Sequence, residues 1–244
     1  MPGAHGICFK DDETLYISKT IENKASTGGV ITCSMNLQQK EFFTKACSYY
    51  SIATGPASSI AVRNGTANEL EIYSQQPTKV LSLQLPAGKH KGLAVDDNGQ
   101  VYICDAESDC IRVYDASGDL AKVIKEKEIK RPQYIALTST GFVVTCMGEQ
   151  PATVCANRDG KVIWINDELE SPSGVAVDSN NDVYVCDTQE RKVVMITNDG
   201  EFSFDMVDEH MLKHEKPFAV AVHGDKLAVQ MLESDSLKLY RLMG

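Results

Sequence analysis

Two stretches of this chain are near copies of one another, and no other feature restricts its fold so strongly. GLAVDDNGQVYICD begins at Gly92 and GVAVDSNNDVYVCD at Gly174, with a weaker copy, YIALTSTGFVVTCM, beginning between them at Tyr134. Outward from these lie AVAVHGDKLAVQM from Ala219, GICFKDDETLYISK from Gly6 and a degraded YSIATGPASSIAV from Tyr50. Six copies therefore begin near residues 6, 50, 92, 134, 174 and 219, with steps of 44, 42, 42, 40 and 45 residues. A period of about forty residues is the mark of a repeat architecture. The whole of 1–244 is read as one such array.

Within each copy a short apolar strand, a polar turn and a second strand of alternating character follow one another, and alternation at period two means strand. Third strands follow as CIRVYD from Cys110, ATVCAN from Ala152, KVVMIT from Lys192 and LKLYRL from Leu237. Three of them run into turns ending at Gly118, Gly160 and Gly200, and fourth strands follow as LAKVI, KVIWI and FSFDM. A four-stranded sheet that is apolar on both faces cannot stand alone, but several can stack radially around a channel. The fold expected is all-β, a six-bladed β-propeller of four-stranded antiparallel blades. Gly244 falls in register with the turn at Gly200, so the last blade is expected to lack an outer strand of its own. Only five residues precede the first inner strand, so the missing edge is expected either from a longer parent chain or to be left open to pairing.

Gly-x-Ala-Val-Asp, then Val-Tyr-(Val/Ile)-x-Asp, then an apolar strand and a glycine turn resemble the NHL repeat. The resemblance spans nearly the whole chain, strongest from Gly92 to Val207 and weakest from Tyr50 to Ile72. It implies a propeller like the C-terminal domains of tripartite-motif ubiquitin ligases, which in that family recognise RNA hairpins, single-stranded RNA or proteins. The zinc modules of that family are absent from this sequence. Ligase chemistry, and any oligomerisation of the parent, would belong to other segments.

With 24 Lys and Arg against 34 Asp and Glu, the net charge of −10 opposes wholesale attraction to polyphosphate or to an anionic bilayer, so neither DNA nor membrane is an expected partner. Neither a bilayer-length apolar run nor a signal-type start is visible, which points to a cytoplasmic setting. Cys104, Cys146 and Cys186 are read at equivalent positions facing separate blade interfaces, as small core residues, and Cys8 likewise. The Asn64-Gly65-Thr66 sequon would matter only in a secreted protein.

Some six-bladed propellers are metal-dependent hydrolases or lyases, which need ligands converging on the channel mouth. The residues leading into the inner strands read as His5, Tyr49, Lys91, Gln133, Ser173 and Phe218, of which His5 alone is a strong ligand. His210 and His214 have helical spacing but no evident third ligand, and read as a solvated loop. Asp96, Asp105, Asp178 and Asp187 recur at equivalent turns and read as caps. No catalytic residue, metal or cofactor is expected.

Loops on a rigid scaffold are where function usually sits. The connections into the inner strands carry Tyr49, Tyr50, Lys89, His90, Lys91, Lys130, Arg131, Gln133, Tyr134, His214, Lys216 and Phe218, a basic and aromatic set. Glu22, Glu107, Asp109, Glu149, Glu190, Glu233 and Asp235 share that rim and offset its charge. The mixture favours a non-catalytic module that binds a protein or peptide. RNA recognition through the same rim is the alternative, and a propeller hydrolase or lyase comes third. The candidate contacts are Lys91, Arg131, Gln133, Tyr134, Lys216 and Phe218, with Tyr50 and His90 beside them.

Overall fold

In the computed structural model, which describes residues 4–21, 27–45, 49–234 and 236–242, the chain forms six small antiparallel sheets. Blades 1 to 5 have four strands each, taken in chain order; blade 6 has three among the described residues, ending with Leu237–Arg241. The expected three-stranded last blade is thus observed, while Gly244 lies outside the described residues. The inner strands are Ala4–Asp11, Tyr49–Thr54, His90–Val95, Pro132–Leu137, Pro172–Val177 and Pro217–His223. Each packs beside the next, and the sixth returns to the first, closing the ring.

Sandwiched sheets must be apolar on both faces. The second strand of blade 5, Val183–Asp187, is buried at every residue. Outer strands face water on one side, so in blade 4 (Val162–Asn166) Trp164 packs inward while Ile163 and Ile165 are exposed. Each interface between blades holds its own apolar cluster. Blade 3 offers Tyr102, Ile111 and Val113 to Phe142, Val144 and Val154 of blade 4, and at the seam Ile7, Phe9 and Leu15 of blade 1 meet Ala219, Ala221 and Ala228 of blade 6. Among the described residues no helix is long and apolar enough to cross a membrane.

The aspartates of the repeat cap turns, as expected. Asp96 Oδ1 accepts the backbone N–H groups of Asn98 (3.0 Å) and Gln100 (2.9 Å), and Asp178 does the same for Asn180 and Asp182. Asp105 accepts from Glu107 and Ser108, and the buried Asp187 from Gln189, Glu190, Glu170 and Ser171.

One expected register is corrected. Val95 pairs with Val101 in blade 3, but Leu137 pairs with Phe142 in blade 4, whose turn is one residue shorter. Thr145, not Cys146, therefore occupies the place of Cys104 and Cys186, and Cys146 stands where Asp105 and Asp187 do. That shift turns Cys146 to the opposite face, so Cys104 and Cys146 share the interface between blades 3 and 4 and do not face separate ones. Both are buried free thiols, and burial raises both; Cys146 is pushed up to about 12. His210 and His214 lie exposed in a turn, their rings 5.4 Å apart.

Candidate binding site at the channel mouth

All six inner strands break register near their starts, between Ala4 and Gly6, Tyr49 and Ile52, His90 and Leu93, Pro132 and Tyr134, Pro172 and Val175, and Pro217 and Ala219. A bulge takes its residue out of the pleat and re-aims it. Six bulges at one end of a ring gather their residues at one mouth of the channel. In blade 2 that place belongs to Tyr50. Tyr49, expected at the rim, is instead fully buried, and its hydroxyl donates to Glu71 (2.9 Å).

The next residue inward is Gly6, Ser51, Gly92, Tyr134, Gly174 or Ala219, according to blade. A Cβ on Gly92 would lie 2.5 Å from Tyr134 Cα, and one on Gly174 would lie 2.6 Å from Ala219 Cα, so glycine there lets adjacent inner strands close in. The channel consequently narrows to about 50 Å³. Tyr134 breaks the small-residue series. Its ring meets Phe218, two blades away, edge to face at 5.6 Å, and burial raises its hydroxyl pKa.

Above this floor lies a cavity of about 390 Å³ lined by Tyr50, Arg63, Lys89, Lys91, Tyr134 and Phe218. Sequence reasoning missed Arg63, which occupies the register position of Cys104, Thr145, Cys186 and Gln230 on its second strand. A basic residue where the other copies are neutral was the available signal. The Arg63 guanidinium sits 5.1 Å from the Tyr50 ring centre, and its Nη2 donates to Asn68 Oδ1 (3.4 Å). The Tyr50 ring lies so close over Gly65 that a Cβ there would fall 1.7 Å from Tyr50 Cε2. Asn64 Oδ1 accepts the N–H groups of Thr66 and Ala67, so the sequon asparagine is a buried turn cap.

Lys91 donates to Gln133 Oε1, and Gln133 Nε2 donates to the Arg131 carbonyl (2.6 Å). Gln133 is thus buried and orients Lys91. Burial lowers the Lys91 pKa, and Arg131, Lys89 and Arg63 lower it further. Arg131 itself borders a neighbouring groove of about 880 Å³. Its backbone is left-handed (φ 48°), secured by its N–H to Asp109 Oδ1 (2.8 Å).

The acidic loops divide the remaining bases. Lys130 pairs with Asp109 (3.3 Å) and Lys216 with Glu233 (3.3 Å), and Lys216 stands apart from the mouth cavity. Lys89, Lys91, Arg131 and Arg63 form no ion pair with any described carboxylate. Of the candidate contacts, the structure brings together Tyr50, Lys91, Gln133, Tyr134 and Phe218, with Arg131 alongside. The His90 side chain, Glu22 and Asp235 lie outside what is described. Among the described residues no group of three His, Cys, Asp or Glu is placed to hold a metal ion.

Residues 91–114 and 169–191 match the NHL repeat family. Two of the six blades carry NHL repeats. No curated protein sequence matches the chain significantly. Among solved structures, a streptogramin B lyase has a TM-score of 0.70 at 17% identity, covering 99% of this chain and 84% of that one. A catalytically inactive virginiamycin B lyase from Staphylococcus aureus with quinupristin has 0.69 at 14%, covering 99% and 85%. A chain of the nidogen/laminin complex has 0.75 at 15%, covering 89% and 84%. At such identities these likenesses establish the propeller alone.

Proposed function

We propose that this NHL-type propeller is a non-catalytic binding module whose channel mouth engages a protein or peptide partner. The observation that carries the reading is a preformed cavity with aromatic walls and three basic groups, Arg63, Lys89 and Lys91, that form no ion pair with any described carboxylate, in a chain of net charge −10. Rings and cations on rigid, bulged strands are the groups from which recognition sites are built. By its resemblance to tripartite-motif proteins, the module would serve as the substrate-recognition part of a larger ubiquitin ligase. A cytoplasmic setting suits its seven described cysteines, all of them free thiols.

A second reading is favoured by one feature: the exposed Tyr50 ring, backed by Arg63, is a stacking platform of the kind that unpaired bases use. A lyase-type reading comes third, and rests on the likeness of fold to the streptogramin B and virginiamycin B lyases alone. Capture of partners by the wild-type chain and by Lys91→Glu and Tyr50→Ala, at rising salt, separates these readings. A peptide-binding module loses the same partner proteins in both variants, with modest salt sensitivity. Steep loss of bound RNA with salt would favour the second reading, and unchanged capture in both variants would move the site elsewhere.

A further inference from the structure

The mouth cavity has a charge pattern that narrows what can enter it. Arg63 Nε is buried without a hydrogen-bond partner, and Lys91 is held in place by Gln133. Beside them a second depression of about 170 Å³, bounded by Tyr134, Met147, Phe218 and Leu232, is apolar on one side. Farther from the axis, Glu107, Glu149 and Glu190 stand exposed on the loops between second and third strands.

We propose that the mouth selects a carboxylate on a peptide segment of its partner, lodged between Arg63 and Lys91 with an apolar neighbour against Phe218 and Leu232. The proposal rests on the mouth being the binding site. A guanidinium fork and an ammonium, both partly desolvated, match a single carboxylate in geometry and charge. Burial lowers the pKa of both groups, a cost that an incoming anion would relieve. An extended polyphosphate fits less well, because its continuing charges would run outward over the acidic loops, whereas a carboxylate ends on the axis. The carboxylate can belong to an acidic side chain or to a chain terminus.

The test is an NMR titration of the intact chain with four probes: acetyl-leucyl-glutamic acid α-amide, which keeps its side-chain carboxylate, its glutamine isostere, acetyl-glutaminyl-leucine with a free C-terminus, and hexauridylate. The glutamate probe is expected to shift the amides of Gly65, Lys91 and Gly92 and to bind at least about ten-fold tighter than the glutamine isostere. A free-terminus probe that matches it assigns the site to chain ends as well as side chains. Arg63→Cys and Lys91→Gln should each abolish the preference; if Arg63→Cys fails to fold, Lys91→Gln decides. Equal binding of the glutamate and glutamine probes overturns carboxylate selection while leaving the binding site in place. Tighter binding of hexauridylate at the same amides overturns it in favour of RNA. Absence of any shift at the mouth with all four probes removes both the selection and the site.

Discussion

Where blade 5 buries Val194 and Cys186, blade 2 carries Glu71 and Arg63 at the same register positions. Blade 5 fills its interfaces with apolar side chains. Blade 2 holds a carboxylate only 3% exposed between the hydroxyls of Tyr73 (2.6 Å) and Tyr49 (2.9 Å), with Lys79 at 3.3 Å and Lys45 at 3.6 Å. The backbone tolerates either solution, because radial stacking requires only that each interface be filled and its polar groups satisfied. The weak copy of the repeat is therefore more than drift: it contributes Tyr50, Arg63 and Gly65 to the mouth.

The largest expected effect that tests this contrast is at Glu71. Glu71→Ala removes the buried carboxylate on which two tyrosine hydroxyls and two half-exposed lysines converge and should cost about 3 kcal/mol in urea unfolding, against roughly 1–2 kcal/mol for Val194→Ala. A smaller loss at Glu71 than at Val194 would break the comparison. Burial alone would raise the Glu71 pKa, but hydrogen bonds from Tyr73 and Tyr49, the Lys45 charge and Lys79 outweigh it and hold it below the ordinary value. A depressed carboxylate pKa gives stability that is present above the unfolded value and lost as pH falls through the folded one. Hydrogen exchange in blade 2 should accordingly accelerate relative to blade 5 below about pH 4.

Next in size is the capping pair. Asp187 accepts four backbone N–H groups and Asn64, its counterpart, accepts two. Asp187→Ala should cost about 2–3 kcal/mol and Asn64→Ala about 1 kcal/mol in thermal or urea unfolding; equal losses would show that the loops are held by something else. Gly65→Ala should cost under about 1 kcal/mol, because the exposed Tyr50 ring can swing aside, yet it should weaken partner binding several-fold by separating Tyr50 from Arg63. The smallest stability change is expected for Arg63→Cys, which restores the residue of blades 3 and 5. It should be neutral to slightly stabilising, within about 1 kcal/mol, because it removes a partly buried, incompletely bonded guanidinium. Loss of partner binding without loss of Tm would sharpen the contrast between fold and site.

The propeller was legible because every copy repeats alternating strands at one spacing, and the strong copies from Gly92 and Gly174 add an aspartate for each turn and a glycine where inner strands converge. The lead-in residues Lys91, Gln133 and Phe218 were legible for the same reason, since equivalent positions reach one mouth. Three things were hidden. Bulge placement decides between Tyr49 and Tyr50, and two adjacent tyrosines give no sign of it. A turn shorter by one residue moved Cys146 to the other face, which aligned letters cannot show. Arg63 lies within a second strand, a place the repeat reserves for buried residues, so a search of loops passed over it. The rim's charge also looked more evenly mixed than it is, because Asp109 and Glu233 are spent on Lys130 and Lys216.

The seam between blades 1 and 6 has a consequence for how the ring assembles. Every other pair of neighbouring blades is joined by a short connection, but Ile7 and Ala219 meet from 212 residues apart. Bringing together points that distant costs about 5 kcal/mol of chain entropy, and the alanines on one side offer little area in return. The seam should therefore close last, as the slow step of folding. Val154→Ala, between blades 3 and 4, should slow refolding with little change in unfolding, because its contacts precede the closing step, while Ala221→Gly chiefly speeds unfolding, and stopped-flow kinetics on the two variants would show which junction is the latch.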